Sequence, residues 1–134
     1  MKLAAYVFEQ TQAFDHLAIE WWGKHHEGIK LHDVVLAKQG VIVFDEYKPA
    51  AIQYIYPAEG SDCAWLGFTV TNPNLSRYRA GKALQLLFET SEATVRQLGK
   101  SMLYTGFDHP ALQKIAQRRG YIAGSVVKEY WRRL

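Results

Sequence analysis

Between Phe14 and His25 the apolar side chains fall at Phe14, Leu17, Ala18, Trp21 and Trp22. Steps of three and four put them on one face of a helix, with Gly23 weakening its far end. Ahead of it, residues 2–8 (KLAAYVF) read as a short first strand, and behind it HHEGIKLHDVVLAK leaves helix and loop both open. The pattern then tightens. Residues 40–47 (GVIVFDEY) are β-branched and aromatic, and so are 48–57 (KPAAIQYIYP) and 62–71 (DCAWLGFTVT). Short turns separate these three runs and NPN closes the last, which predicts an antiparallel meander.

The period changes again after residue 75. Ala80, Leu84, Leu87, Phe88, Val95 and Leu98 form a helical stripe over 80–98, stopped by Gly99. KSMLYTGF (100–107) is a short strand of the buried type. Pro110 suits the first turn of a helix that runs through ALQKIAQRR to Gly120. The last stretch, YIAGSVVKEYWRRL, reads as one strand or as a hairpin bent at Ala123-Gly124. A strand–helix–strand unit over 62–107 requires a parallel pair. The expectation is an α/β fold in a single domain over 1–134. Its central mixed sheet has about six to seven strands, with helices on both faces.

Composition narrows the class without naming a function. At 134 residues, 49% hydrophobic and 22% charged, the chain has the size and balance of one globular domain. Its net charge of +3 is too small to argue for nucleic acid by itself. Cys63 is the sole cysteine, so no internal disulfide forms and a reducing compartment is implied. MKLAAYVFEQTQ is interrupted early by Glu9 and Gln10, unlike a signal peptide, and no run approaches a membrane span. The expected location is cytoplasmic, with no membrane partner.

Candidate chemistry concentrates in SRYRAGKA (76–83), where a strand gives way to a helix. Helix N-termini present unpaired N–H groups to anions, glycine admits close approach, and arginine forks match phosphate oxygens. The stretch is not a Walker A loop, since Ser76 stands where its first Gly belongs and Ala83 where it needs Ser or Thr. A solvated basic helix start is the alternative.

From WLGFTVTNPNLSRYRAGKALQLLFE through RRGYIAGSVVKEYW, the second half resembles the GCN5-related N-acetyltransferases (GNAT). GKALQLL looks like the start of that family's long helix, and Arg119-Gly120-Tyr121 like the Gly-Phe that ends its last one. The resemblance implies acetyl-CoA as co-substrate and no metal. Arg77, Tyr78, Arg79, Ala80, Gly81, Lys82 and Ala83 fall in the pyrophosphate loop, and His109 where the family often has an Asn that meets the cofactor. It further implies that the strands near 64–71 and 101–106 splay around the thioester. Backbone groups of Phe68, Thr69 and Val70 then pair with the pantetheine. For the base that deprotonates the amine, the carboxylates offered are Glu46 and its neighbour Asp45. For the acid that meets the leaving thiolate, the candidates are the phenols of Tyr104 and then Tyr130. Two departures stand out: Arg79 replaces a glycine of the loop, and Ala116 replaces a tyrosine that commonly protonates the thiolate.

The function so implied is acetyl transfer from acetyl-CoA to an amine of a small molecule or peptide. The alternative is a degenerate GNAT-like binding or structural protein of phage origin, virion-associated. Small proteins of short-tailed phages resemble acetyltransferases and carry similar loops. A nucleic-acid reading rests only on Arg77, Arg79, Lys82 and interleaved tyrosines. The first helix region and the C-terminal stretch are where acceptor specificity or a homodimer interface belongs. His25, His26, Glu27, His32 and Asp33 cluster without the spacing of a zinc site and read as solvated. Cys63 reads as a small buried residue.

Overall fold

The computed structural model describes residues 2–27 and 29–134. Met1 and Gly28, the latter inside the undecided loop, lie outside them. Five strands form one sheet in the order β1 (Leu3–Phe8), β2 (Gly40–Asp45), β3 (Lys48–Pro57), β4 (Cys63–Thr71), β5 (Met102–Thr105). The first four pair antiparallel and β4–β5 is parallel. The expected meander is therefore present, and the parallel pair follows from the crossover through the long helix α2 (Arg77–Gln97).

β2 and β3 are buried on both faces, which is why they read as nearly unbroken apolar runs. Ile42, Ile52 and Tyr54 face α1 (Asp15–His25) together with Phe8, Trp21, Leu31 and Leu36. Val41, Val43, Ala51 and Ile55 face α2 with Leu84, Leu87, Phe88 and Val95. Helices do cover both faces. The undecided segment after α1 is loop with one short 3₁₀ turn, Asp33–Val35. Tyr56 fastens it to the sheet, accepting from the Ala37 N–H at 3.1 Å and donating to the Val35 carbonyl at 2.6 Å.

α3 (Pro110–Arg118) docks on α2 through a charged clamp as well as through Leu112 and Ile115. Arg119 donates Nε to Glu92 Oε2 at 2.9 Å and Nη2 to Oε1 at 2.7 Å, and the Tyr121 hydroxyl donates at 3.0 Å. Burial alone pushes the Glu92 carboxyl up. The hydrogen bonds from Arg119 and Tyr121 and the charges of Arg119 and Arg96 outweigh it and hold the group below its ordinary value. A carboxyl lowered in the folded state stabilises above its unfolded value and loses that stability as pH falls through the folded one. The denaturation midpoint is thus expected to hold from pH 7 down to about 4.5 and then fall. Glu92→Gln should flatten that fall and cost about 1–3 kcal/mol at neutral pH, read by urea unfolding at each pH.

Two expectations are corrected. The sheet has five strands, not six to seven, because residues 121–134 form no strand. Val126 and Val127, then Tyr130 and Trp131, are adjacent apolar pairs, so neither alternation buries one face and leaves the other polar. All four are exposed. The long helix also begins earlier than its apolar stripe. Ser76 caps it by accepting from the Arg79 N–H at 3.2 Å, so residues 77–79 are helix rather than loop. Among the described residues no helix is long and apolar enough to cross a membrane.

Candidate active site

β5 pairs with β4 along its whole length and ends, leaving the upper half of β4 unpaired on that edge, an opening we call the fork. Their pairing covers Cys63↔Met102 to Leu66↔Thr105 and stops there, while β4 continues to Thr71. The Thr105 hydroxyl donates to the Leu66 carbonyl at 2.9 Å and closes the base of the fork. Immediately above it, β4 bulges. Phe68 has φ of +53°, a left-handed value that strains a bulky side chain, and the register against β3 shifts between Ile52 and Tyr54. Such a bulge turns the backbone of Phe68, Thr69 and Val70 away from a regular ladder, on the edge that β5 does not reach. Side chains there are spoken for. Thr69 accepts from Gln53 Nε2 at 2.7 Å, and Val70 is buried toward α1.

Beyond Thr71 the chain turns tightly. Asn72 donates its N–H to Ala50 and Nδ2 to Pro49, and its Oδ1 accepts from Asn74. This delivers the N-terminus of α2 to the upper end of β4. The N–H groups of Arg77 and Tyr78 reach no acceptor among the described residues. Gly81 borders open space, since a Cβ placed there meets nothing within 4 Å. Arg79 answers the question its position raises. Its guanidinium turns to the buried Asp45 carboxylate of β2 at 2.7 Å, so it ties α2 to the sheet instead of filling the cradle. Lys82 stands 5.7 Å from the exposed Tyr78 ring. Ala83 faces the sheet and is fully buried, because helix geometry turns its side chain inward.

The remaining sequence candidates are scattered. His109 caps α3, its Nδ1 accepting from the Ala111 N–H at 3.2 Å. Glu46 lies on the β2–β3 turn with φ of +58° and lines a groove with Lys2, Tyr6, Phe44 and Tyr47. From Lys48, the first β3 residue after that turn, to Ile52, the partner of Val70, is four strand steps, ~13 Å. The structure therefore does not bring Glu46 to the fork. Tyr104 stacks on Trp65 at 5.9 Å beside the base of the fork, with its side chain half exposed. Tyr130 stands on the C-terminal tail, 84% exposed. Two further tyrosines near the fork are unsuited to giving protons. Tyr54 donates to buried Asp15 at 2.8 Å, and burial and that carboxylate push its ionisation up beyond the ordinary range. Burial pushes Tyr56 up to about 12.

What the sequence missed is the lip above the fork. The end of α1 leans over β4: Trp22 meets Phe68 edge-on at 5.6 Å, and His25 Nε2 donates to the Thr71 carbonyl at 2.9 Å. His26 stacks flat on Trp22 at 3.9 Å, and its Nε2 lies 3.8 Å from Asp108 of the β5–α3 loop. No spacing in HHE announces this, because the partners come from residues 68, 71 and 108. Among the described residues no group of three or more His, Cys, Asp or Glu side chains is placed to hold a metal.

No protein-family model and no curated protein matches the chain. Solved structures do. An aminoglycoside acetyltransferase from an uncultured soil metagenomic sample, in complex with trehalose, superposes with a TM-score of 0.71 at 10% identity, over 98% of this chain and 96% of that one. AAC(6')-Iy, in complex with the bisubstrate analogue CoA-S-monomethyl-acetylneamine, gives 0.68 at 11% over 100% of both. Glucosamine-6-phosphate N-acetyltransferase from Arabidopsis thaliana gives 0.63 at 11% over 96% and 98%.

The fold is that of the GNAT acetyltransferases. In this fold the unpaired end of β4 leads through a short turn to the start of α2. The five-stranded sheet of the described residues ends at β5, an edge strand.

Proposed function

We propose that the protein transfers an acetyl group from acetyl-CoA directly to an amine of a small molecule or peptide. The observation that carries the reading is the fork: a bulged edge at Phe68–Val70, unpaired on the β5 side, that leads to a helix start whose first two N–H groups are free, beside an open Gly81. These residues fit the co-substrate. The free N–H groups of Arg77 and Tyr78, with the cations of Arg77 and Lys82, suit a pyrophosphate. The β4 edge offers backbone groups to an extended amide chain such as pantetheine, and an N–H there can polarise a thioester carbonyl.

Tyr104 is the proton donor to the departing sulfur, the fork tyrosine whose hydroxyl is not buried against a partner; Tyr130 is the second choice. The acceptors named for similar folds, aminoglycosides, glucosamine 6-phosphate and a ribosomal-protein alanine, all offer a primary amine. They set the panel to be tried. A homodimer belongs to the same reading, its sign a mass of twice 15.3 kDa in solution.

Calorimetry and thermal shift with acetyl-CoA test the reading, followed by CoA thiol release with the amine panel. Saturable binding with turnover supports it, and no binding at about 1 mM acetyl-CoA overturns it. Binding with no release of thiol on any acceptor favours the virion-type binding protein. Arg79→Gln is expected to cost about 1–3 kcal/mol in urea unfolding, because it leaves the Asp45 carboxylate buried with a weaker partner. The same change should weaken acetyl-CoA binding by loosening the seat of α2.

A further inference from the structure

On that reading of the fork, the sequence candidates leave the amine without a base, since Glu46 points into a different groove. We infer that His26 takes the proton from the acceptor amine, with Asp108 positioned to stabilise the imidazolium that results.

The geometry assigns the ring's two nitrogens different tasks. Nδ1 lies 3.3 Å from the Trp22 carbonyl, which can only accept, so Nδ1 carries the hydrogen. Nε2 is then the nitrogen with a free lone pair. It points to the β5–α3 loop, where Asp108 Oδ1 stands at 3.8 Å, a spacing that leaves Nε2 free for another proton donor. Stacking on Trp22 fixes the plane of the ring, and Trp22 in turn rests on Phe68, the strained residue of the bulge. The base is thereby coupled to the part of β4 that faces the fork. The orienting group and the base come from one helix end and the carboxylate from the β5–α3 loop.

The ionisable groups around it are few. Asp108 approaches from the β5–α3 loop, and α1's own end supplies Lys24, His25 and Glu27. Lys24 pairs with Glu20 at 3.4 Å, and His25 is turned to Thr71. The β4 side presents the Phe68 ring. Asp108 is thus the anion aimed at Nε2, and its side chain stays 82% exposed, so water can carry the proton away.

An ammonium gives one proton to His26 Nε2 and becomes the free amine. Its nitrogen forms a bond to the acetyl carbon, the carbon–sulfur bond breaks, and the nitrogen's second surplus proton goes to the thiolate sulfur. The imidazolium returns its proton to water. The products are an N-acetyl amine, CoA thiol and one released proton.

His26→Asn keeps an N–H for the Trp22 carbonyl and removes the base. Acylation of histidines by diethyl pyrocarbonate, mapped by peptide mass, reads the ring without turnover. Saturating acetyl-CoA should slow modification of His26 several-fold and leave exposed His16 unchanged. CoA thiol release is then followed against pH, with the best amine of the panel, or with water as acceptor if none is taken. The wild-type rate should depend on pH through a group other than the acceptor. His26→Asn should fall about 100-fold at pH 7, with acetyl-CoA affinity within twofold, and its rate should follow ionisation of the acceptor instead. Asp108→Asn should fall about 10-fold and keep the wild-type pH dependence. An unprotected His26, or a His26→Asn variant with the wild-type rate and pH profile, overturns the inference and leaves acetyl transfer standing. A wild-type protein that neither binds acetyl-CoA nor releases thiol overturns the transfer reading itself.

Discussion

Gly81→Trp is expected to abolish acetyl-CoA binding and leave the fold intact. The dissociation constant should rise at least ~100-fold, equivalent to ~2.7 kcal/mol, with the melting temperature moving no more than about 3 °C. The asymmetry follows from where the side chain goes. A Cβ at Gly81 meets no heavy atom within 4 Å, so nothing in the protein is displaced. The position lies inside α2, where any residue other than proline is favoured over glycine by up to ~1 kcal/mol. An indole there occupies the space in front of the helix's first turns, which is the space a pyrophosphate needs. Calorimetry on the two proteins decides the matter, and a tryptophan variant that binds like the wild type would remove the cradle from the proposal. Arg79 cannot serve as cleanly in this role, because its pairing with Asp45 mixes stability with binding.

The elements were legible where one face of each is buried and one pattern dominates. α2's stripe of Leu84, Leu87, Phe88 and Val95 and the runs of β2 and β3 meet the core described above at nearly the expected bounds. The start of α2 was not, because Arg77, Tyr78 and Arg79 are solvent-facing and carry no apolar signal; their helical state is set by the Ser76 cap. The tail failed for a different reason. Val126, Val127, Tyr130 and Trp131 have strand-forming side chains, but propensity alone supplies neither a ladder partner nor a face to bury. Of the proposed site, the parts contiguous in sequence could be named from it: the loop after β4, Gly81, and the backbone at Phe68–Val70. The lip was not, since His26 acquires its surroundings from Trp22 four residues earlier and Asp108 from 82 residues later. A histidine in a charged run looks like solvent until the fold supplies its neighbours.

Gly40→Ala is expected to be the most destabilising small substitution in the sheet, costing about 3 kcal/mol and lowering the melting temperature by roughly 10 °C. A methyl group at Gly40 collides with the Gln53 carbonyl oxygen of β3 and comes within 2.6 Å of Phe8 Cζ. The phenyl ring can turn, but the carbonyl belongs to a ladder that cannot give way alone. On one side of it Gly40 pairs with Tyr54 and the Ile55 N–H donates to the Gln39 carbonyl at 3.0 Å. Across the next strand Tyr54 pairs with Gly67, the residue before the strained Phe68. Gly40, Tyr54 and Gly67 thus form one row through the sheet, ending at the bulge that opens the fork. The Gln53 side chain extends the same link by donating to Thr69. Displacing β3 at Gln53 therefore moves the floor of the fork as well as the core. Acetyl-CoA affinity should fall along with stability, even at temperatures where the variant stays folded. Gly23→Ala is the matched control: its Cβ is unopposed on α1, so it should gain about 0.5–1 kcal/mol and bind as the wild type does. Equal melting temperatures for the Gly40 variant and the wild type would show that the row yields without cost, and the coupling of core to fork would fall with it.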